Sequence, residues 1–191
     1  MVILNGGSSA GKSSLIERFI TIRAASGDCW VAVGVDDFIA KLPWQWMDLP
    51  SMNGPCGRDG LRFDPHPEGI VPTVGPVGRR MMSVYRRSVA TWAESGFNVL
   101  ADEVAFDDEA ANGWKEALGP LAATWVGVHC DPDVAAARER ARGDRIIGLA
   151  RGSAATVHRG VTYDFELDTT RAAPDELAAE LSDRLLRTSA G

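Results

Sequence analysis

Lysine is nearly missing from this chain of 191 residues: of 20 basic residues only Lys12, Lys41 and Lys115 are lysines, and the rest are arginines. Cysteine is as scarce. Cys29, Cys56 and Cys130 form no CxxC pair and are odd in number, which excludes a disulfide framework and offers no zinc-ligand spacing. No apolar run approaches the roughly 20 residues that span a bilayer, and Val2-Ile3-Leu4 is too short for the apolar stretch of a signal peptide. The expected location is therefore cytoplasmic, with no membrane partner. Positive charge is also in deficit. With 20 basic against 26 acidic residues the net charge is −6, so nucleic acid is not an expected partner and any anion site has to be local. What remains is an ordinary globular balance, 45% apolar and 24% charged, which can bury a core and predicts a single domain over residues 1–191.

Five apolar runs, Met1–Asn5, Trp30–Val35, Phe97–Ala101, Thr124–Val128 and Phe165–Leu167, predict short buried strands. Helical spacing follows between them. Leu15, Ile16, Phe19 and Ile20 share one face after Lys12, and Met81, Tyr85, Val89 and Trp92 share another. An Ala/Arg segment runs from Asp131-Pro132 to about Arg142, and Leu177, Leu181 and Leu185 follow Pro174. Alternating strands and helices predict an α/β fold with a parallel five-stranded sheet flanked by helices. Residues 43–78 differ in kind. They hold seven of the ten prolines and six of the twenty glycines without sustained periodicity, and so read as an irregular insertion, a loop or a lid. Trp44, Trp46, Met47, Met52 and Phe63 give it apolar groups with which to bind an acceptor.

The scarce Lys12 falls in Gly6-Gly7-Ser8-Ser9-Ala10-Gly11-Lys12-Ser13, a full match to G-x-x-x-x-G-K-[ST] between a strand and a helix, with Ser14 next to it. Such a P-loop cradles phosphates in backbone N–H groups at a helix N-terminus, with the lysine on the β- and γ-phosphates and the serine hydroxyl on Mg²⁺. ATP or GTP is the expected ligand, and the sequence does not choose between them. The Asn/Thr-Lys-x-Asp motif of guanine-reading switches is absent. Asp36, ending the second strand, suits a carboxylate that takes the proton of an attacking hydroxyl, or alternatively caps a helix at Phe38 to Lys41. Asp102 is the candidate second metal ligand, with Glu103 beside it, or both are solvated strand-end acids. Arg138, Arg140, Arg142, Arg145 and Arg151 cluster around Gly143, so residues 138–151 read as a lid in which Arg142 and Arg145 stabilise charge on a transferring phosphoryl group. The alternative is a solvated helix with Arg138 and Glu139 in surface pairs. His129 and His158 read as structural.

Ile3 to Ser13, Val33-Gly34-Val35-Asp36, Trp125 to Val128, Ala141-Arg142-Gly143-Asp144-Arg145 and Tyr163-Asp164 through Asp168-Thr169-Thr170 resemble chloramphenicol 3-O-phosphotransferase in order and spacing. The resemblance implies a P-loop kinase fold, a nucleoside triphosphate donor and phosphorylation of an antibiotic hydroxyl for self-resistance in a producing actinomycete. It also implies Asp36 as base and Arg142 and Arg145 as lid arginines. It is weakest from Pro43 to Arg80, where the acceptor should bind. A kinase for another small hydroxylated acceptor, such as a nucleoside antibiotic or metabolite, and a regulatory nucleotide-binding module stay open, as does an oligomer.

Overall fold

The computed structural model describes residues 1–105, 108–143 and 146–188. All five expected strands are present, as β1 (Val2–Gly6), β2 (Trp30–Gly34), β7 (Asn98–Glu103), β8 (Thr124–His129) and β9 (Phe165–Asp168). They form one parallel sheet in the order β2-β7-β1-β8-β9, with Val2 opposite Leu100 on one side and Thr124 on the other. Helices α1 (Lys12–Ala25), α3 (Pro76–Glu94), α4 (Asp108–Leu118), α5 (Pro132–Arg142) and α7 (Pro174–Thr188) flank it or connect its strands.

The inner strands β1, β7 and β8 are buried on both faces, so their side chains alternate between two cores. Val2, Leu4, Leu100, Val126 and Leu167 pack with Leu15 and Phe19 of α1 and Leu177 and Leu181 of α7. Ile3, Val99 and Ala101 point the other way, to Met82, Tyr85 and Val89 of α3 and Trp114 of α4. The expected stripe on α3 is met at Tyr85 and Val89, but Met82 is more deeply buried than Met81. Trp92 is 40% exposed. It lies in the last turn, where the chain turns back toward β7, and meets the equally exposed Phe97 edge-on at 5.0 Å between ring centroids.

Residues 43–78 correct the expectation of an irregular loop. After a 3₁₀ turn at Trp44–Trp46 they build a second sheet of β3 (Met47–Leu49), β4 (Met52–Asn53), β5 (Leu61–His66) and β6 (Gly69–Val74), in the order β4-β3-β5-β6. The prolines fit because of where they fall. Pro72 lies on the edge strand β6, and Pro65 lies beyond the residues of β5 that pair with β3, Leu61 and Arg62. Leu61, Phe63 and Pro72 face the first sheet's cavity, while Arg62, Asp64 and Thr73 join in a polar cluster on the opposite face, with Asp64 Oδ2 accepting from Thr73 Oγ1 at 2.6 Å and Arg62 Nε at 2.8 Å.

The corner between α5 and α6 (Leu149–Thr156) is held by a residue that looked solvated in the sequence. Glu139 is only 1% exposed; its Oε2 accepts from Gly148 N at 2.7 Å and its Oε1 from Ala150 N at 2.6 Å, closing the orphan donors of α6. The surface pair of Arg138 with Glu139 is therefore not formed. Glu139→Ala would leave both donors unpaired, and urea unfolding is expected to show a loss of about 3 kcal/mol.

Candidate active site

The carboxyl ends of β1, β2, β7 and β9 open on a cavity of about 460 Å³, where a parallel sheet places its ligands. Its floor is the loop from Gly7 to Ser14 and its side walls carry Asp36, Asp102, Arg138, Arg142, Ser153 and Thr169. The end of β1 is fixed by Asn5, which is fully buried: Nδ2 donates to Val157 O at 2.9 Å and to Tyr163 Oη at 2.6 Å, and Oδ1 accepts from Ala105 N at 2.8 Å. The end of β7 is fixed by Tyr85, whose hydroxyl donates to Asp102 O at 3.0 Å.

The loop itself is shaped for an anion. Gly11 takes φ 90°, and Ser9 takes φ 59°, a region that residues with a side chain rarely occupy. Alternation of this kind turns successive N–H groups inward. Ser9 Oγ is buried with no hydrogen-bond partner among the described residues, a polar atom left for a ligand. Lys12 is buried at the floor, with Nζ donating to Gly6 O at 2.6 Å and Gly7 O at 3.2 Å and lying 3.5 Å from Asp102 Oδ1.

Two acid pairs are resolved by the pleat and by a cap. Asp102 reaches the cavity, whereas Glu103 points to the opposite face, buried against Trp114 Nε1, Val104 N and Arg86, where burial pushes its carboxyl up. Helix α2 (Val35–Ile39) starts directly at the end of β2 with Gly34 as its cap. Asp37, not Asp36, makes the capping contact, accepting from Gly34 N at 3.2 Å. The expectation that Asp36 caps a helix at Phe38 is thereby corrected; Asp36 is inside α2 and lines the cavity.

Among the lid arginines Arg142 lines the cavity, and Arg145 lies outside the described residues. Arg138, named in the same cluster but not given a role in transfer, also lines it, its Nη2 donating to Thr169 O at 2.7 Å and its Nη1 to Thr169 Oγ1 at 3.3 Å. Thr169 in turn donates to Ala10 O at 2.6 Å, so β9 buttresses the loop. Of the five apolar residues expected to meet an acceptor, only Phe63 lines the cavity; Trp44 and Met52 are exposed. The apolar wall is instead Val35, Ile39, Leu61, Phe63, Pro72 and Val104.

The structural reading of His158 agrees with its surroundings. Its Nδ1 lies 2.7 Å from Tyr163 Oη, its ring stacks on His129 at 3.9 Å, and burial, then His129 and Lys12, lower its pKa from 6.5 to about 4. Burial also pushes the Tyr163 hydroxyl up to about 12, so it donates to the neutral imidazole. The unfolded chain takes up this proton near pH 6.5 and the folded chain only near 4, so stability falls as pH drops through that window. Melting curves are expected to show a shallower fall in His158→Gln than in the wild type over the same range.

The family model of chloramphenicol phosphotransferase-like proteins matches residues 1–186. The chain belongs to this family. Relatives from two strains of Mycobacterium tuberculosis, each named "Putative O-phosphotransferase", are 36% identical over 191 residues, covering 96% of this chain and 80% of theirs. Solved structures share the fold. The Mycobacterium tuberculosis APS kinase in complex with AMPPNP and APS superposes with TM-score 0.65 at 14% identity, covering 96% of both chains. A Janibacter sugar kinase gives 0.64 at 15%, covering 96% and 92%, and a Sinorhizobium meliloti gluconokinase gives 0.57 at 17%, covering 98% and 96%. The family member described here is a phosphotransferase with the P-loop kinase fold. Among its described residues no helix is long and apolar enough to cross a membrane.

Proposed function

We propose that this enzyme transfers the γ-phosphoryl group of ATP or GTP to a hydroxyl of chloramphenicol or a similar antibiotic. The observation that carries the reading is the continuity of one cavity from the phosphate loop, through Lys12 and Asp102, to the apolar wall around Asp36. The triphosphate lies along Gly6 to Ser14, its anionic groups taken up by the loop N–H groups and by the Lys12 ammonium. Ser13 and Asp102 would hold Mg²⁺. A hydroxyl and a carboxylate suit an ion that keeps several waters and otherwise binds phosphate oxygens, and among the described residues no cluster of three acids, histidines or cysteines offers a fuller cage. When bound, that ion would supply neutralisation of the negative charge on the phosphates.

Asp36 Oδ accepts the acceptor O–H proton as the new P–O bond forms and the bond to the β–γ bridging oxygen breaks, leaving the nucleoside diphosphate. Arg142 and Arg145 neutralise charge on the moving group. An acceptor wall of Val35, Ile39, Leu61, Phe63, Pro72 and Val104, with Asp36 as its acid, favours a neutral acceptor with an apolar body over an anionic one. The test is nucleotide consumption with and without hydroxylated antibiotics. Turnover that depends strictly on the acceptor is expected; equal turnover without one would favour a regulatory nucleotide-binding module.

A further inference from the structure

Helix α6 touches three functional parts of the molecule through its backbone or through buried polar contacts. On one side, Gly148 O accepts from Ile70 N of β6 at 3.0 Å. Gly152 comes so close to the same strand that an added Cβ would lie 1.9 Å from Ile70 O. Here main chain sits on main chain, and no side chain intervenes to absorb a shift. At its start, Glu139 of the lid helix α5 holds Gly148 N and Ala150 N.

The third contact is Ser153, which is fully buried. Its Oγ donates to Leu149 O at 2.7 Å, which orients a lone pair toward the phosphate loop, where it accepts from Ser8 N at 2.9 Å. The loop is packed tightly there as well, since a Cβ on Gly7 would lie 3.0 Å from Ser153 Oγ and 3.3 Å from Ala154 N. Ser8 and Ser153 both line the cavity.

We infer that α6 is a bridge through which the acceptor-side sheet sets the geometry of the phosphate loop, with Ser153 as its positioning residue; this rests on the cavity being the nucleotide site. An acceptor pressed on Phe63 and Pro72 loads β5 and β6, β6 loads α6 at Ile70, and Ser153 passes the constraint to Ser8. The coupling is reciprocal, so a nucleotide in the loop steadies β6 in the absence of any acceptor.

Hydrogen exchange on the full chain, with and without Mg²⁺ and the non-hydrolysable analogue AMPPNP, reads this directly. In the wild type the nucleotide should slow exchange at residues 8–13 and also at the Ile70 amide, the latter by about tenfold, within the usual range of coupling between sites. In Ser153→Ala at saturating AMPPNP, protection at residues 9–13 should persist while that at Ile70 is lost. Gly152→Ala, which forces β6 away from the other face of α6, should uncouple Ile70 in the same way and serves if Ser153→Ala does not fold. Protection at residues 8–13 with none at Ile70 in the wild type would overturn the bridge alone. So would equal protection of Ile70 in both variants. No protection at either place would overturn the nucleotide reading and the bridge with it.

Discussion

Lys12→Met is expected to lower phosphoryl transfer by at least about 10³-fold while the protein stays folded. Methionine keeps most of the unbranched stem and removes the ammonium, so the change isolates charge at the buried floor of the cavity. The lost interactions are those of Nζ with Gly6 O, Gly7 O and Asp102. Leaving the carbonyls less well paired costs about 1–3 kcal/mol, against a usual total of about 5–15, so thermal melting should shift by several degrees without loss of cooperativity. Turnover at saturating nucleotide, measured beside the melting curve, separates the two effects. Activity within tenfold of wild type in a folded variant would remove Lys12 from the chemistry.

Asp36→Asn carries the second large effect, an expected loss of about 10² to 10⁴ in turnover. Asparagine preserves shape and can still accept a hydrogen bond, but it cannot take the acceptor's proton. Because the transition state is loose, placement of the hydroxyl and local charge outweigh basicity, so part of the function survives. Its neighbour provides the contrast. Asp37 holds the start of α2 through Gly34 N, so Asp37→Ala should cost about 1 kcal/mol of stability and leave turnover within a few-fold. If the two variants lost activity equally, the cavity-facing position of Asp36 would have no special part in transfer.

The sequence made visible whatever is local and periodic. The inner strands β1, β7 and β8 hold consecutive buried residues and so appear as continuous apolar runs, and the phosphate loop is a contiguous motif between a strand and a helix. The insertion hid its sheet because Pro65 and Pro72 lie inside its strands and its pairings are only two to six residues long. Helix α4 contains Asn112-Gly113 and α6 contains Gly152, residues that argue against a helix until tertiary contacts override them. Site residues supplied from a distance were the hardest to see. Ser153 meets Ser8 across 145 positions, and Thr169 meets Ala10 across 159. Glu139 sits between Arg138 and Arg140 in what looks like a solvated charge run, yet it is buried by the turn into α6.

Phosphoryl transfer to an antibiotic hydroxyl is read out by mass spectrometry of chloramphenicol and a panel of hydroxylated antibiotics incubated with the enzyme, Mg²⁺ and either ATP or GTP. One phosphate added to chloramphenicol or another member of the panel, and absent with Lys12→Met, is the predicted result. Nucleotide consumed with every antibiotic left unmodified would contradict it.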